Sequence, residues 1–271
     1  SYVTIADIAD VVYNGSAHEP VLTVTESGIS KTLVKDVDYT VAYENNVNVA
    51  RDPNTDAVLK KGLVVITGMG NYSAETKATK LFQINPKDIH HNTIAVSGIV
   101  DKEYNGMFQE QEGLTLNDSE AGTTLRLHED YEVAYTNNQE ARTTPAFMTI
   151  TGKGNYTGTN EDETFMIIAS KLSERVRILD IANVTYNRHE QTPKPVLVDT
   201  RFPDKYLVEN RDYRITGYED NVNAGTAIVK VLGINNYQGD KESSFIIDKK
   251  SIGAFEVTLA EDPMYFKFDE M

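Results

Sequence analysis

Asp38-Tyr39-Thr40-Val41-Ala42-Tyr43-Glu44-Asn45-Asn46 returns as Asp130-Tyr131-Glu132-Val133-Ala134-Tyr135-Thr136-Asn137-Asn138. It returns again, one residue longer, as Asp212-Tyr213-Arg214-Ile215-Thr216-Gly217-Tyr218-Glu219-Asp220-Asn221. The steps are 92 and 82 residues, a period that marks an array of like units. Within each stretch Tyr and Val or Ile alternate with other residues, the period-2 pattern of a strand with one buried face. The additional Gly217 falls inside an otherwise matched strand and predicts a β-bulge.

The same satellites accompany every copy. Tyr13-Asn14-Gly15, Tyr104-Asn105-Gly106 and Tyr186-Asn187-Arg188 precede it. Gly68-Met69-Gly70-Asn71-Tyr72, Gly152-Lys153-Gly154-Asn155-Tyr156 and Gly233-Ile234-Asn235-Asn236-Tyr237 follow it as hairpin-type turns, where Gly and Asn supply positive φ. Phe82 to Ile84, Phe165 to Ile167 and Phe245 to Ile247 close the copies. No segment reads as an amphipathic helix. The pattern predicts an all-β chain of three tandem immunoglobulin-like β-sandwich modules in an extended array, at residues 1–86, 87–170 and 171–249. Residues 250–271 read as a partial fourth module or a C-terminal extension, because Lys250-Ser251-Ile252 repeats the opening Lys87-Asp88-Ile89.

Junctions such as Asn85-Pro86 are too short for neighbours to tumble. A semi-rigid rod is expected, on the order of 100 Å from three lengths of eight-to-ten-residue strand at ~3.3 Å per residue. In the first copy, residues 48–61 add about eight residues relative to the second and read as an extended, solvated hairpin tip.

Composition narrows the function classes. The chain has 271 residues and no cysteine, so disulfides and thiolate metal sites are excluded. That leans towards a bacterial surface protein or a cytosolic one. No apolar run reaches the length of a membrane span, the N-terminus has no basic-then-apolar signal pattern, and Ser1 sits at the start of the first copy, so targeting segments are expected elsewhere. The net charge is −15, spread as −2 over residues 1–87, −9 over 88–171, 0 over 172–250 and −4 beyond. An acidic surface repels phosphate backbones and argues against nucleic acid.

Fifteen tyrosines are present, twelve at repeat-equivalent positions. A residue that recurs in every copy solves a folding problem: the ring is buried and the hydroxyl satisfies a nearby backbone group. Only Tyr2, Tyr206 and Tyr265 lie outside the repeat, with no tryptophan, which leaves little for a sugar-stacking platform. Asp38, Asp130 and Asp212 are expected to accept backbone N–H bonds at the turn into the strand. His18, His90, His91, His128 and His189 match no zinc spacing and read as surface residues. Glu110, Glu112, Asp118 and Glu120 offer oxygen ligands for calcium but lack the EF-hand pattern, so a solvated loop is expected. Asn71 and Asn155 head glycosylation sequons, although the shared turn already explains both. Phosphate-cradling loops and nucleophile elbows are missing from the sequence, so no catalytic, cofactor-binding or metal residue is assigned.

The order Tyr-Asn-Gly, Pro20-Val21-x-x-Val24, Asp-Tyr-x-Val-x-Tyr, Gly152-Lys153-Gly154-Asn155-Tyr156-Thr157-Gly158 and Phe-x-Ile resembles the immunoglobulin-like, mostly-β tandem repeats of MBG/YDG type in bacterial cell-surface proteins. The match covers residues 1–250. Arg188 in place of glycine, and Gly106-Met107-Phe108 without a following proline, depart from the pattern and bear on local turn geometry. The resemblance implies a non-catalytic, monomeric stalk or adhesion segment at the bacterial surface, without cofactor or metal, with a host protein or glycan as a weak partner. Alternatives are a glycan- or protein-binding module using residues 48–61 or the acidic copy, and the accessory array of a larger extracellular enzyme. An intramolecular Lys–Asn isopeptide bond is a further option within such surface sandwiches.

Overall fold

A computed structural model describes residues 3–29, 31–202, 204–251 and 253. The chain is all-β; among the described residues the one α-helix is the four-residue Leu172–Arg175. Each opening motif forms a strand, Tyr39–Glu44, Tyr131–Thr136 and Tyr213–Glu219. Each pairs antiparallel with the apolar strand that leads into the glycine turn: Gly62–Gly68, Ala146–Gly152 and Gly225–Gly233. The register is the same in all three, with Tyr39 opposite Gly68, Tyr131 opposite Gly152 and Tyr213 opposite Gly233. These glycines are required sterically. A Cβ at Gly68 would lie 2.5 Å from the Ser73 carbonyl, and one at Gly152 or Gly233 2.6 Å from the amide of Thr157 or Gln238. The register shifts between Ile215 and Gly217, which is the bulge that the inserted glycine foretold.

A second sheet faces this one in every copy. Val3–Ile5 pairs with Val24–Glu26, Ile94–Ser97 with Thr115–Asp118, and Val176–Ile178 with Leu197–Asp199, all antiparallel. Alternate side chains meet between the layers: Val24, Val64 and Phe82 in the first copy, Leu116, Met148 and Ile150 in the second, Leu197, Val229 and Val231 in the third, each fully buried. Burying an aliphatic side chain of this kind contributes about 1.5–3 kcal/mol. Val11–Val12 runs parallel to Ile84–Asn85, and Val184–Thr185 to Ile247–Asp248, closing the layers as in an immunoglobulin-like sandwich.

By contact density the chain forms two compact units. One is Ser1–Lys102 with Gly106–Ile167, holding the first two copies; the other is Ile168–Met271 with Glu103–Asn105. Of residues 250–271, the expected partial fourth module, 252 and 254–271 lie outside the described residues.

Two local expectations are revised. Ala50–Arg51 and Val58–Leu59 do form a hairpin, but its base is not simply solvated. Arg51 donates from Nε to the Gly154 carbonyl at 2.7 Å and from Nη2 to the Tyr156 carbonyl at 3.1 Å, while the Val49 amide donates to Asn155 Oδ1 at 2.8 Å. The added length reaches the glycine turn of the second copy, and Arg51 satisfies carbonyls there. Arg188 also keeps the turn of its glycine counterparts, with φ 72° against 78° at Gly15 and Gly106. Holding a side chain in that left-handed region costs roughly 1–2 kcal/mol.

Candidate functional site at the repeat joints

The repeated aspartates do what their position requires. Asp38 Oδ2 accepts from the Val34 amide at 2.9 Å, Asp130 from Arg126 at 2.9 Å and Asp212 from Val208 at 2.8 Å. Each carboxylate closes the turn in which Asp36, His128 or Asn210 takes positive φ. The second tyrosine of the motif pins a backbone segment: Tyr43 donates to the Pro20 carbonyl and Tyr218 to the Pro193 carbonyl, both at 3.0 Å, while Tyr135 accepts from the Gln111 amide at 3.1 Å. The asparagine turn has the same kind of task. Asn46, Asn138 and Asn221 donate from Nδ2 to the carbonyls of His18, Gln109 and Gln191.

The tyrosine of the glycine turn behaves differently. Its hydroxyl meets a carboxylate on the facing sheet: Tyr72 and Glu26 at 2.8 Å, Tyr156 and Asp118 at 3.2 Å, Tyr237 and Asp199 at 3.1 Å. The three acids are equivalent by register, lying opposite Val3, Ile94 and Val176. In the second and third copies the pair is buried, with Asp118 and Asp199 wholly inaccessible. A tyrosine from the preceding copy packs edge-on against it. Tyr13 meets Tyr156 at 5.5 Å and 76°, and Tyr104 meets Tyr237 at 5.6 Å and 78°. In this geometry one ring's positive edge meets the other's negative face.

A buried carboxylate needs a cation. Lys87, itself buried, approaches Asp118 at 2.7 Å and Glu120 at 2.8 Å. In the third copy Arg201 holds Asp199 through Nη2 at 2.8 Å and Nε at 3.1 Å, and also reaches the Tyr104 carbonyl and Ser170 Oγ, each at 2.8 Å. Glu103 completes that group, accepting from Arg175 at 2.7 and 2.9 Å and from Ser170. Burial pushes the Asp118 carboxyl up, but the Lys87 ammonium and the amides of Ala121 and Glu120 outweigh it and hold the group below the usual carboxylate range. Asp199 is lowered in the same way, burial being overcome by Arg201. Burial and the neighbouring carboxylate drive the Tyr156 and Tyr237 phenols well up, so both hydroxyls stay protonated as donors.

The acidic stretch is thereby reinterpreted. Glu110 and Glu112 are exposed, whereas Asp118 is not in a solvated loop but sealed against Lys87. Among the described residues no group of three or more His, Asp or Glu side chains is placed to hold a metal. His90, His91, His128 and His189 are exposed as expected; His18 is half-buried and burial lowers its pKa. Asn155 is occupied by the Val49 amide and Asn48. Lys87 faces a carboxylate rather than an asparagine amide, so this joint does not present the Lys–Asn pairing of an isopeptide bond. Asp118, Asp199, Lys87 and Arg201 do not stand out as a set in the sequence. Their signal was the acid ending each apolar strand, in Val24-Thr25-Glu26, Leu116-Asn117-Asp118 and Leu197-Val198-Asp199.

No family model matches the chain. No curated protein matches it either. Among solved structures, a protocadherin gammaB7 EC3-6 cis-dimer aligns over 91% of this chain and 73% of its own at 11% identity and a TM-score of 0.22. The protocadherin gammaB4 extracellular domain aligns over 91% of this chain, at 10% identity and a TM-score of 0.19. This chain spans about half the length of the latter (49%). Among the described residues no helix is long and apolar enough to cross a membrane.

Proposed function

We propose that the chain is a non-catalytic segment of three tandem modules, residues 1–86, 87–170 and 171–249, serving as a stalk or adhesion segment of a bacterial surface protein of MBG/YDG type. One observation carries this reading. The carboxylates and phenols that recur with the repeat are turned onto one another and onto backbone groups, and Tyr13 and Tyr104 each bind the tyrosine–carboxylate pair of the following copy. Groups spent on positioning neighbours are not free to bind and transform a substrate. A buried ion pair beneath a ring-edge contact ties the chain that enters a copy to that copy's own sandwich, which is what a spacer requires.

Small-angle scattering tests the spacer directly. The expected maximum dimension is on the order of 100 Å, from three modules built of strands rising ~3.3 Å per residue; a compact particle well short of that length defeats the reading. Binding to a glycan array that disappears when residues 52–57 are trimmed would replace the stalk with a binding module.

A further inference from the structure

The hairpin of the first copy ends on the second. Ala50–Arg51 pairs antiparallel with Val58–Leu59, and two acids shape the tip between them. Asp52 Oδ1 accepts from the amides of Asn54 and Thr55 at 2.9 and 3.0 Å, and the Asp52 amide donates to the Ala57 carbonyl at 2.9 Å. Asp56, at φ 57°, turns its carbonyl and its Oδ2 onto Arg51 Nη1, both at 3.0 Å. The guanidinium is thus aimed from within its own hairpin. Its other two bonds leave the copy, Nε to the Gly154 carbonyl and Nη2 to that of Tyr156. Arg51 uses four of its five N–H donors, and its side chain is only 17% exposed.

The same stretch of the second copy is held from its other side. Lys87-Asp88 lies parallel to Tyr156-Thr157; the Lys87 amide donates to the Asn155 carbonyl at 3.0 Å and the Ile89 amide to that of Thr157 at 2.7 Å. Carbonyls 154 and 156 therefore face Arg51, and carbonyls 155 and 157 face the linker. That alternation belongs to a strand with a neighbour on each edge. Arg51 stands where the second neighbour would run, and its planar fork spans two carbonyls, which a single ammonium does not. Asn155 adds its side chain, accepting from the Val49 amide at 2.8 Å and donating to Asn48 Oδ1 at 3.1 Å. Tyr156, held at its carbonyl, also carries the hydroxyl on Asp118 and the ring against Tyr13. Opening the first copy unties the turn on which the second copy's buried pair stands.

The arrangement belongs to the first copy alone. Residues 139–145 stand in the second copy where 47–61 stand in the first, and they form no strand. The third copy's turn strand, Tyr237–Gln238, keeps its linker partner Ser170–Lys171. Linker strand and ring contact thus recur with the repeat, and the hairpin is an addition to them. In an array whose stability is a sum of module and nearest-neighbour terms, cooperativity across a joint rises with the interface term.

We propose that the hairpin is a strap that makes the first two copies one cooperative folding unit, while the third opens on its own. Arg51 is the positioning residue of the strap, acting through the backbone of the Gly154–Thr157 stretch, and Asn155 is its second fastening. Local opening of the first copy then carries the second with it, as contiguous structure does when it opens as one unit. The strap goes beyond the stalk reading and does not rest on it, since a binding module would be coupled in the same way.

Native-state hydrogen exchange of the whole chain, read by mass spectrometry over residues 62–68, 146–152 and 225–233, tests it. Ile66 is buried in the first copy, and Ile66→Val removes one methyl group there, which should speed exchange of 62–68 about two- to tenfold. In the otherwise wild-type chain, 146–152 should follow by a similar factor and 225–233 should not move. With Arg51→Ala or Arg51→Lys in place, 146–152 should no longer follow Ile66→Val. An arginine that only adds stability would change the exchange rates but leave that response intact. Asn155→Ala removes the other fastening and should weaken the response in the same direction, which keeps the test open if the Arg51 variants do not fold. A second copy that ignores Ile66→Val in the wild-type background, or follows it undiminished without the guanidinium or the Asn155 amide, overturns the proposal.

Discussion

The second and third copies neutralise the same buried acid from opposite directions. At Asp118 the cation arrives on the linker strand as Lys87, and the residue two beyond the acid is Glu120. At Asp199 the linker offers Ser170, and the residue two beyond the acid is Arg201. The pair Lys87/Glu120 has become Ser170/Arg201. In both copies one cation sits on the carboxylate under the tyrosine, delivered by a different strand in each. The two solutions differ in depth: the Lys87 side chain is 2% exposed, whereas that of Arg201 is 22% exposed.

That difference ranks the consequences of removing the acid. Asp118→Ala leaves a buried ammonium with the half-exposed Glu120 and a long contact to Thr93 Oγ1 at 3.5 Å, and breaking a buried pair in this way costs about 3–5 kcal/mol. Asp199→Ala should cost less, because Arg201 keeps carbonyl, hydroxyl and Glu103 partners and lies nearer water. Urea unfolding of the two variants measures both. Equal losses would mean that the depth of the cation does not matter.

Exchanging the solutions is the next test. Lys87→Ser alone leaves Asp118 buried without its cation, a loss of ~3 kcal/mol. Adding Glu120→Arg rebuilds the third copy's arrangement in the second and should recover most of that loss, with a coupling of about 1–3 kcal/mol in the double-mutant cycle. A coupling near zero would show that the two joints are not interchangeable.

These residues also show where the sequence was legible. The motif strands, the bulge at Gly217 and the capping role of Asp38, Asp130 and Asp212 could all be read, because alternation, an inserted glycine and a turn acid are local signals. The joint could not be read in the same way. Tyr13 and Tyr156, or Lys87 and Asp118, are distant in sequence, and a lysine facing an aspartate looks like any solvated pair until two sheets close over it. The exchange of Lys87/Glu120 for Ser170/Arg201 further hid the repeat, since neither position keeps its charge. Residues 48–61 looked solvated because nothing in their composition foretells that Arg51 finds carbonyls on the next copy.

Acid should probe the buried carboxylate directly. The Asp118 carboxyl titrates below its ordinary range in the folded chain, so its contribution is present above the unfolded pKa of about 3.9 and is lost as pH falls through the lower folded value. Stability should therefore hold from neutrality down to about pH 5 and decline below pH 4. Asp118→Asn should flatten that acid limb while lowering stability at neutral pH. An acid limb unchanged by Asp118→Asn would assign it to other carboxylates.

The smallest effect isolates the ring contact. Tyr13→Leu and Tyr104→Leu each keep an apolar side chain at the joint but remove the edge-to-face pair with Tyr156 or Tyr237, worth about 0.5–1.5 kcal/mol beyond area burial. Tyr104 has an additional partner: Lys205 Nζ donates to its hydroxyl at 2.9 Å and lies 5.2 Å from its ring centroid. Tyr104→Phe removes only the hydroxyl and should cost about 0.5–1.5 kcal/mol, the net value of one hydrogen bond. Tyr104→Leu should then exceed Tyr13→Leu by that amount plus the cation–ring attraction, about 0.5–2 kcal/mol for a ring that is buried and a cation that is partly so. If the two leucine variants lose the same stability, Lys205 contributes nothing to the third copy's joint.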